Sequence, residues 1–118
     1  MLNAGAPVAA HSLLERETEE SFFLGSANGR PIGVAESEIV GSGVVTLFGN
    51  VQLLLAPNVS IAANDVLVAA SMGHVTKKSN GWTGPTVGTA TEAKSASGTP
   101  QVLSAKLRIV IPPNWEEI

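Results

Sequence analysis

"QVLSAKLRIVI", residues 101–111, decides the fold class. Leu103, Ala105, Leu107, Ile109 and Ile111 share one parity while Ser104, Lys106 and Arg108 share the other, which makes a strand with one face in a core and one in water. A helical period would scatter both sets around the axis. "VVTLFGNVQLLLA", residues 44–56, has the same habit: Val45, Leu47, Val51, Leu53 and Leu55 fall on one face, and Thr46, Asn50 and Gln52 on the other.

Turn residues cut these strands short. "SANGR" (26–30) and "KSNGW" (78–82) carry Asn-Gly, which tolerates positive φ at two successive positions and suits a tight hairpin. "GSG" (41–43), "APN" (56–58), "AND" (63–65), "SMG" (71–73) and "SGTP" (97–100) mark further turns. Many short antiparallel strands predict an all-β chain, a small barrel or sandwich. The one helix candidate is a capping box at Ser12 and Glu15 before "RETEE", residues that suit an extended arm equally well.

A short unit occurs twice. Ile32-Gly33-Val34-Ala35 and Val87-Gly88-Thr89-Ala90 each follow a turn with Gly and Pro, and each leads into one of the long alternating strands. Glycine inside a strand marks a bulge, a sharp bend or close approach of another backbone, and alanine two residues on keeps that face thin. Gly33, Ala35, Gly88 and Ala90 are therefore expected at bends of a small barrel, with Asn80 and Gly81 at a turn.

The chain of 118 residues has the size of one domain. Residues 1–29 form an N-terminal arm and first strand region in this reading, residues 30–111 the barrel or sandwich core, and residues 112–118 a short tail. Charged residues make up 14% of the chain and hydrophobic ones 44%, so part of the apolar surface is expected to meet another chain. The net charge is −3, with six acids and two bases in residues 1–59 against four acids and five bases in 60–118, which disfavours nucleic acid as a partner. There is no cysteine, hence no disulfide and no thiolate metal site. The first twenty residues lack the basic start and sustained apolar stretch of a secretory signal. Residues 39–64 are uncharged, but glycines, Asn50, Gln52, Pro57 and Asn58 break them before the ~20 apolar residues that a membrane helix requires.

No catalytic pattern emerges. His11 and His74 belong to no metal-binding spacing, and no Gly-x-Ser-x-Gly elbow exists. Glu36 and Glu38 read as a solvated strand edge, and "GSANGRPIG" has glycines without the helix that would favour a phosphate. "NVS" at Asn58 matches a glycosylation sequon and, with no signal peptide, is given no role.

The order of motifs resembles the small capsid-decoration (cement) proteins of tailed bacteriophages over roughly residues 30–111. It includes an apolar-Gly-x-Ala strand at Ile32 to Ala35 and a Gly-x-Val/Leu strand at Gly49 to Leu53. A Gly-Asp-x-Val turn falls at Asn64 to Leu67, a Gly-x-Val hairpin at Gly73 to Val75, and a second Gly-x-Ala strand at Val87 to Ala90. Asn64 departs from the glycine usual before the aspartate, and asparagine tolerates the left-handed conformation that such a turn needs. Residues 1–29 match no family pattern. The resemblance implies a non-enzymatic virion protein without cofactor, on the outer surface of the head, commonly a homotrimer, that bridges subunits of the major capsid protein and so stabilises the expanded shell. Another virion β-barrel, in tail or baseplate, is the alternative, and a small-molecule-binding barrel a weaker one.

The residues expected to contact capsid or a second subunit are Leu13, Leu14, Phe22, Phe23, Trp82 and Trp115. Trp115 follows Pro112 and Pro113 on the tail, where it anchors in a neighbour or folds over its own barrel end. Trp82 suits a cap on a hairpin or barrel end. Of Phe22 and Phe23, at least one should face the core while the other is free for a partner. Glu15, Glu17, Glu19 and Glu20 read as a solvated arm or helix face.

Overall fold

The structure, a computed structural model, describes residues 2–4, 8–16, 21–24, 31–35, 37–40, 42–43 and 45–112. The described residues are almost entirely β. The strands are β1 (Leu2–Ala4), β2 (Leu13–Arg16), β3 (Ser21–Leu24), β4 (Pro31–Ala35), β5 (Ser42–Gly43), β6 (Val45–Thr46), β7 (Phe48–Leu55), β8 (Ser60–Ile61), β9 (Val66–Ala69), β10 (Val75–Lys77), β11 (Thr86–Ala90), β12 (Lys94–Ser95) and β13 (Gln101–Val110). A 3-10 turn at Ser71–Gly73 separates β9 from β10.

The alternation at residues 101–111 builds the barrel as expected. Leu103, Ala105 and Leu107 are buried, and Lys106 and Arg108 are exposed. β13 pairs antiparallel with β7 from Gln101 opposite Leu55 to Arg108 opposite Phe48, and the barrel closes in the order β10-β7-β13-β11-β9. Its core is Val51, Leu53, Leu55, Leu67, Val75, Val87, Leu103 and Leu107, an inner layer of the branched side chains that suit a pleated surface.

Strands β1 to β6 form a second sheet, in the order β5-β1-β3-β2-β4-β6. β5 and β6 lie at opposite edges of this sheet yet are separated by a single residue of chain, so the chain itself links the two edges.

Both sheets have one pairing pattern. β1 pairs β3 in parallel and β5 antiparallel, as β7 pairs β10 in parallel and β13 antiparallel. β2 lies antiparallel between β3 and β4, as β9 lies between β10 and β11, and β4 meets β6 as β11 meets β13. The registers agree residue by residue: Leu14 faces Gly33 and Leu67 faces Gly88, while Ala35 faces Val45 and Ala90 faces Ala105. The loops correspond as well. Val8 and Ile39 exchange backbone hydrogen bonds, and Ala96 donates to Val59. His11 N donates to Ala35 O and Ala35 N to Ser12 O, just as Asn64 N donates to Ala90 O and Ala90 N to Asp65 O. The chain thus folds the same five-strand unit twice, where one core was expected within residues 30–111.

The repeated Gly-x-Ala pair holds equivalent places in the two units, and its glycines sit where another strand comes close. A Cβ on Gly33 would lie 2.5 Å from Val45 Cγ1 and 2.6 Å from Thr46 O, and one on Gly88 would overlap Lys106 O. Each strand also shows a register shift, opposite Leu14/Glu15 for β4 and between Thr86 and Gly88 for β11.

Four expectations change. Ser12 and Glu15 cap no helix: Leu13–Arg16 is a strand in the interior of the first sheet, with Ser12 and Glu15 buried, so Glu15 is on no solvated face either. In the segment expected as an arm, Leu2–Ala4, Leu13–Arg16 and Ser21–Leu24 are strands of that sheet. Leu47, assigned by parity to the core, is 57% exposed because the chain crosses there from one sheet to the other and Gly49, at φ +101°, resets the strand. Asn80-Gly81 does make a turn, with Trp82 N donating to Ser79 O, but only Gly81 has positive φ, and the turn lies in a loop between β10 and β11, which flank β9 and do not pair with each other. Asn28-Gly29 lies outside the described residues.

Asn64 adopts φ +74°, the left-handed conformation expected of it, and the Asp65 carboxylate accepts a 2.8 Å hydrogen bond from Ala62 N to close the turn. Asn64→Gly is expected to leave stability within a few tenths of a kcal/mol, whereas Asn64→Ala should cost about 1 kcal/mol, the penalty of a Cβ without a compensating polar group. Urea denaturation of the two variants checks the difference.

Candidate functional site

The six residues expected at contacts fall in different places. Leu13 and Leu14 are wholly buried within this chain: Leu13 joins the barrel core, and Leu14 packs with Val8, Ala35 and Ile39. Alternation along β2 sends the two to opposite faces, and each face is covered by the chain's own side chains. Neither is presented to a partner. Phe22 and Phe23 lie in β3, opposite Arg16 and Glu15, and their side chains are outside the described residues, as is all of Trp115. Trp82 is half-buried in the loop between β10 and β11, where its indole Nε1 donates to Pro85 O at 3.0 Å, so the ring braces its own loop.

Among the described residues the exposed apolar surface lies elsewhere. Phe48 is 78% exposed and Leu47 57%, adjacent residues at the crossing between the two units, and Val40 is 69% exposed in the stretch that leads there. Phe48 sits opposite Arg108 on the outer face of the barrel, the face that also carries Asn50 and Gln52. Its parity was the available signal, since it shares the even-numbered face of Thr46, Asn50 and Gln52 and is the one aromatic among them. Met72, 66% exposed at φ +61° in the 3-10 turn, is a second apolar tip.

The junction between the units also holds an open cleft of about 360 Å³. Asn50 and Gln52 of β7, Ser104 of β13 and Thr91 after β11 line it, together with His11 from the turn before β2. His11 stands at φ +69°, and its Nδ1 is shut off from solvent without a hydrogen-bond partner. Beside the cleft the Glu92 carboxylate accepts the Ser104 backbone N–H at 2.8 Å, and the hydroxyl and N–H of Ser104 hold its pKa below the usual value. After the 3-10 turn, burial lowers the His74 pKa. Among the described residues no three of His, Cys, Asp and Glu come together, and no helix is long and apolar enough to cross a membrane.

No protein-family model matches this sequence, and no curated protein matches it either. Among solved structures, the chain is similar to the head fiber gp8.5 N base of bacteriophage phi29, with a TM-score of 0.66 and 17% sequence identity. The match covers 91% of this chain and 90% of that one, so it takes in both five-strand units. At this identity the likeness establishes a shared fold.

Proposed function

We propose that the chain is a structural virion protein that sits on the outer surface of a phage head and, as a homotrimer, bridges neighbouring subunits of the major capsid protein. The observation that carries this reading is the fold, shared over nine-tenths of both chains with a protein named as the base of a head fiber. The order of Gly-x-Ala, Gly-x-Val and Asn-Asp-Val motifs supports it from the sequence. A ligand that binds only the expanded shell stabilises that state by mass action, and a trimer of two-unit chains offers six related faces over which weak contacts multiply.

Leu47 and Phe48 are the contact surface in this reading. A large aromatic standing in solvent at the crossing between two units anchors readily in a pocket of a partner, and it does so at low cost in side-chain entropy. Light scattering of the purified chain, followed by sedimentation with expanded heads stripped of decoration, tests the proposal. The expected result is a trimer that pellets with expanded heads and not with unexpanded ones. Phe48→Asp should weaken that binding, or the trimer itself, at least about tenfold while leaving the melting temperature unchanged, since Phe48 packs in neither core. A monomer that ignores both kinds of head overturns the reading.

A second reading takes its support from the name of the similar structure: the chain is the foot on which a longer appendage stands. It predicts head binding that does not discriminate between expanded and unexpanded shells.

A further inference from the structure

The cleft at the junction of the two units is absorbed neither by the fold nor by the proposed function. Three observations meet there. His11 occupies the left-handed position that Asn64 fills in the other unit, and a histidine pays more than asparagine for that conformation. Its Nδ1 is buried and unpartnered, a condition uncommon in native proteins and frequent at functional sites. The walls offer two amides and two hydroxyls, Asn50, Gln52, Thr91 and Ser104, the Ser104 hydroxyl being hydrogen-bonded to Glu92, at the junction between the units.

We infer that this cleft binds a neutral saccharide of one or two rings. The chemistry of the walls selects the class. Amides and hydroxyls both donate and accept, which matches the vicinal hydroxyls of a sugar, and each pair bound satisfies one donor and one acceptor. No Lys or Arg lines the cleft, and Glu92 at its border is held ionised by Ser104, so phosphate and carboxylate ligands lack a counter-charge. One histidine without a carboxylate among the lining residues does not hold a metal.

An extended peptide is the nearest rival, and the topology disfavours it. Peptides that join a sheet draw their affinity from backbone groups at a free edge. Asn50, Gln52 and Ser104 are side chains on the outer face of the β7–β13 ladder, and β13 is flanked on both sides, by β7 and β11, while β7 meets β10 at Leu55. The unpartnered Nδ1 leaves the His11 ring unlocked by any hydrogen bond of that atom, so a half-turn about Cβ–Cγ brings Nδ1 to the position of Cδ2. A sugar hydroxyl that donates to Nδ1 would then fix the ring.

The test is a titration of the 15N-labelled full chain with maltose, lactose and N,N′-diacetylchitobiose in turn, reading the side-chain amides of Asn50 and Gln52 and the ring of His11. At least one sugar should give saturable shifts confined to the cleft, with a Kd of about 1 mM, the strength of a few solvent-competed hydrogen bonds. Gln52→Ala, an exposed position on the outer face, should weaken that binding at least about tenfold with the backbone spectrum of β7 and β13 retained. His11→Asn, which keeps a residue suited to the left-handed position, should weaken it as well. No shift with any of the three sugars, or shifts insensitive to both variants, overturns the proposal. So does a Gly-Ser peptide that shifts the same amides when the sugars do not. The assay needs no phage head, so its failure and that of the structural role are read separately.

Discussion

Gly88→Ala will cost about 3 kcal/mol of folding stability, and Gly88→Val will leave no folded protein. Gly88 has no positive φ, so the backbone conformation itself accepts any residue, and the obstacle is space. The added Cβ would overlap Lys106 O and come within 3.1 Å of Lys106 C and 3.2 Å of Arg108 N. All three are backbone atoms of β13, and no side-chain rotation relieves them. β13 has no room to retreat, because it is paired along eight positions with β7 on its far side and the ring is closed. Overpacking typically costs 1–3 kcal/mol where neighbours adjust, so a site whose neighbours are main chain belongs at about the upper end. Gly33→Ala is the internal comparison. There the nearest atom is Val45 Cγ1, a side-chain atom, followed by Thr46 O on a strand of two residues at a sheet edge, and about 1–2 kcal/mol is expected. Urea denaturation followed by tryptophan fluorescence measures both. If Gly88→Ala unfolds within about 0.5 kcal/mol of the parent, the strands are not in close approach at this glycine.

The sequence carried the second unit plainly and the first hardly at all, for physical reasons. β13 spans ten residues and β7 eight, long enough for a period of two to stand above chance. β1, β2 and β3 have three or four residues each, too few for a period to be visible. Within them, Glu15 is buried in a strand although its type and spacing from Ser12 suit a helix start, so tertiary pairing overrides local propensity there. The duplication left one sequence trace, the Gly-x-Ala pair, because that is where geometry forbids substitution. Elsewhere many equivalent positions hold residues of different kinds. Leu14 answers to Leu67 but His11 to Asn64 and Val45 to Ala105, and the loops between them differ in length, so no fixed period survives. Two of the expected contacts were misplaced by a related assumption. Leu13 and Leu14 were placed on an arm, but β2 lies inside a sheet, and among the described residues the exposed aromatic is Phe48, whose even parity set it on the wet face.

Leu13→Ala will lower stability by about 3–4 kcal/mol and will do so for the whole molecule at once. The residue belongs to β2 in the first sheet, yet its side chain is in the same buried cluster as Val51, Leu53, Leu103 and Leu107 of the barrel, together with Val34 from β4. Removing a buried leucine to its β-carbon loses the transfer free energy and leaves a cavity that a close-packed surround fills only in part, which places the cost between about 2.7 and 5 kcal/mol. The consequence for cooperativity follows from where the cavity opens. Leu14→Ala, in the separate cluster of Val8, Ala35 and Ile39, removes packing internal to the first unit. Leu13→Ala removes packing shared by both, so the two units lose their common core together. Scanning calorimetry should give a single transition for the parent and for Leu13→Ala, displaced downward by about 10 °C or more in the variant at some 3–5 °C per kcal/mol. Two resolved transitions in the parent would mean that the units fold independently and that the shared cluster does not couple them. A single transition that Leu14→Ala splits and Leu13→Ala merely shifts would identify β2 as the strand through which the first unit leans on the barrel.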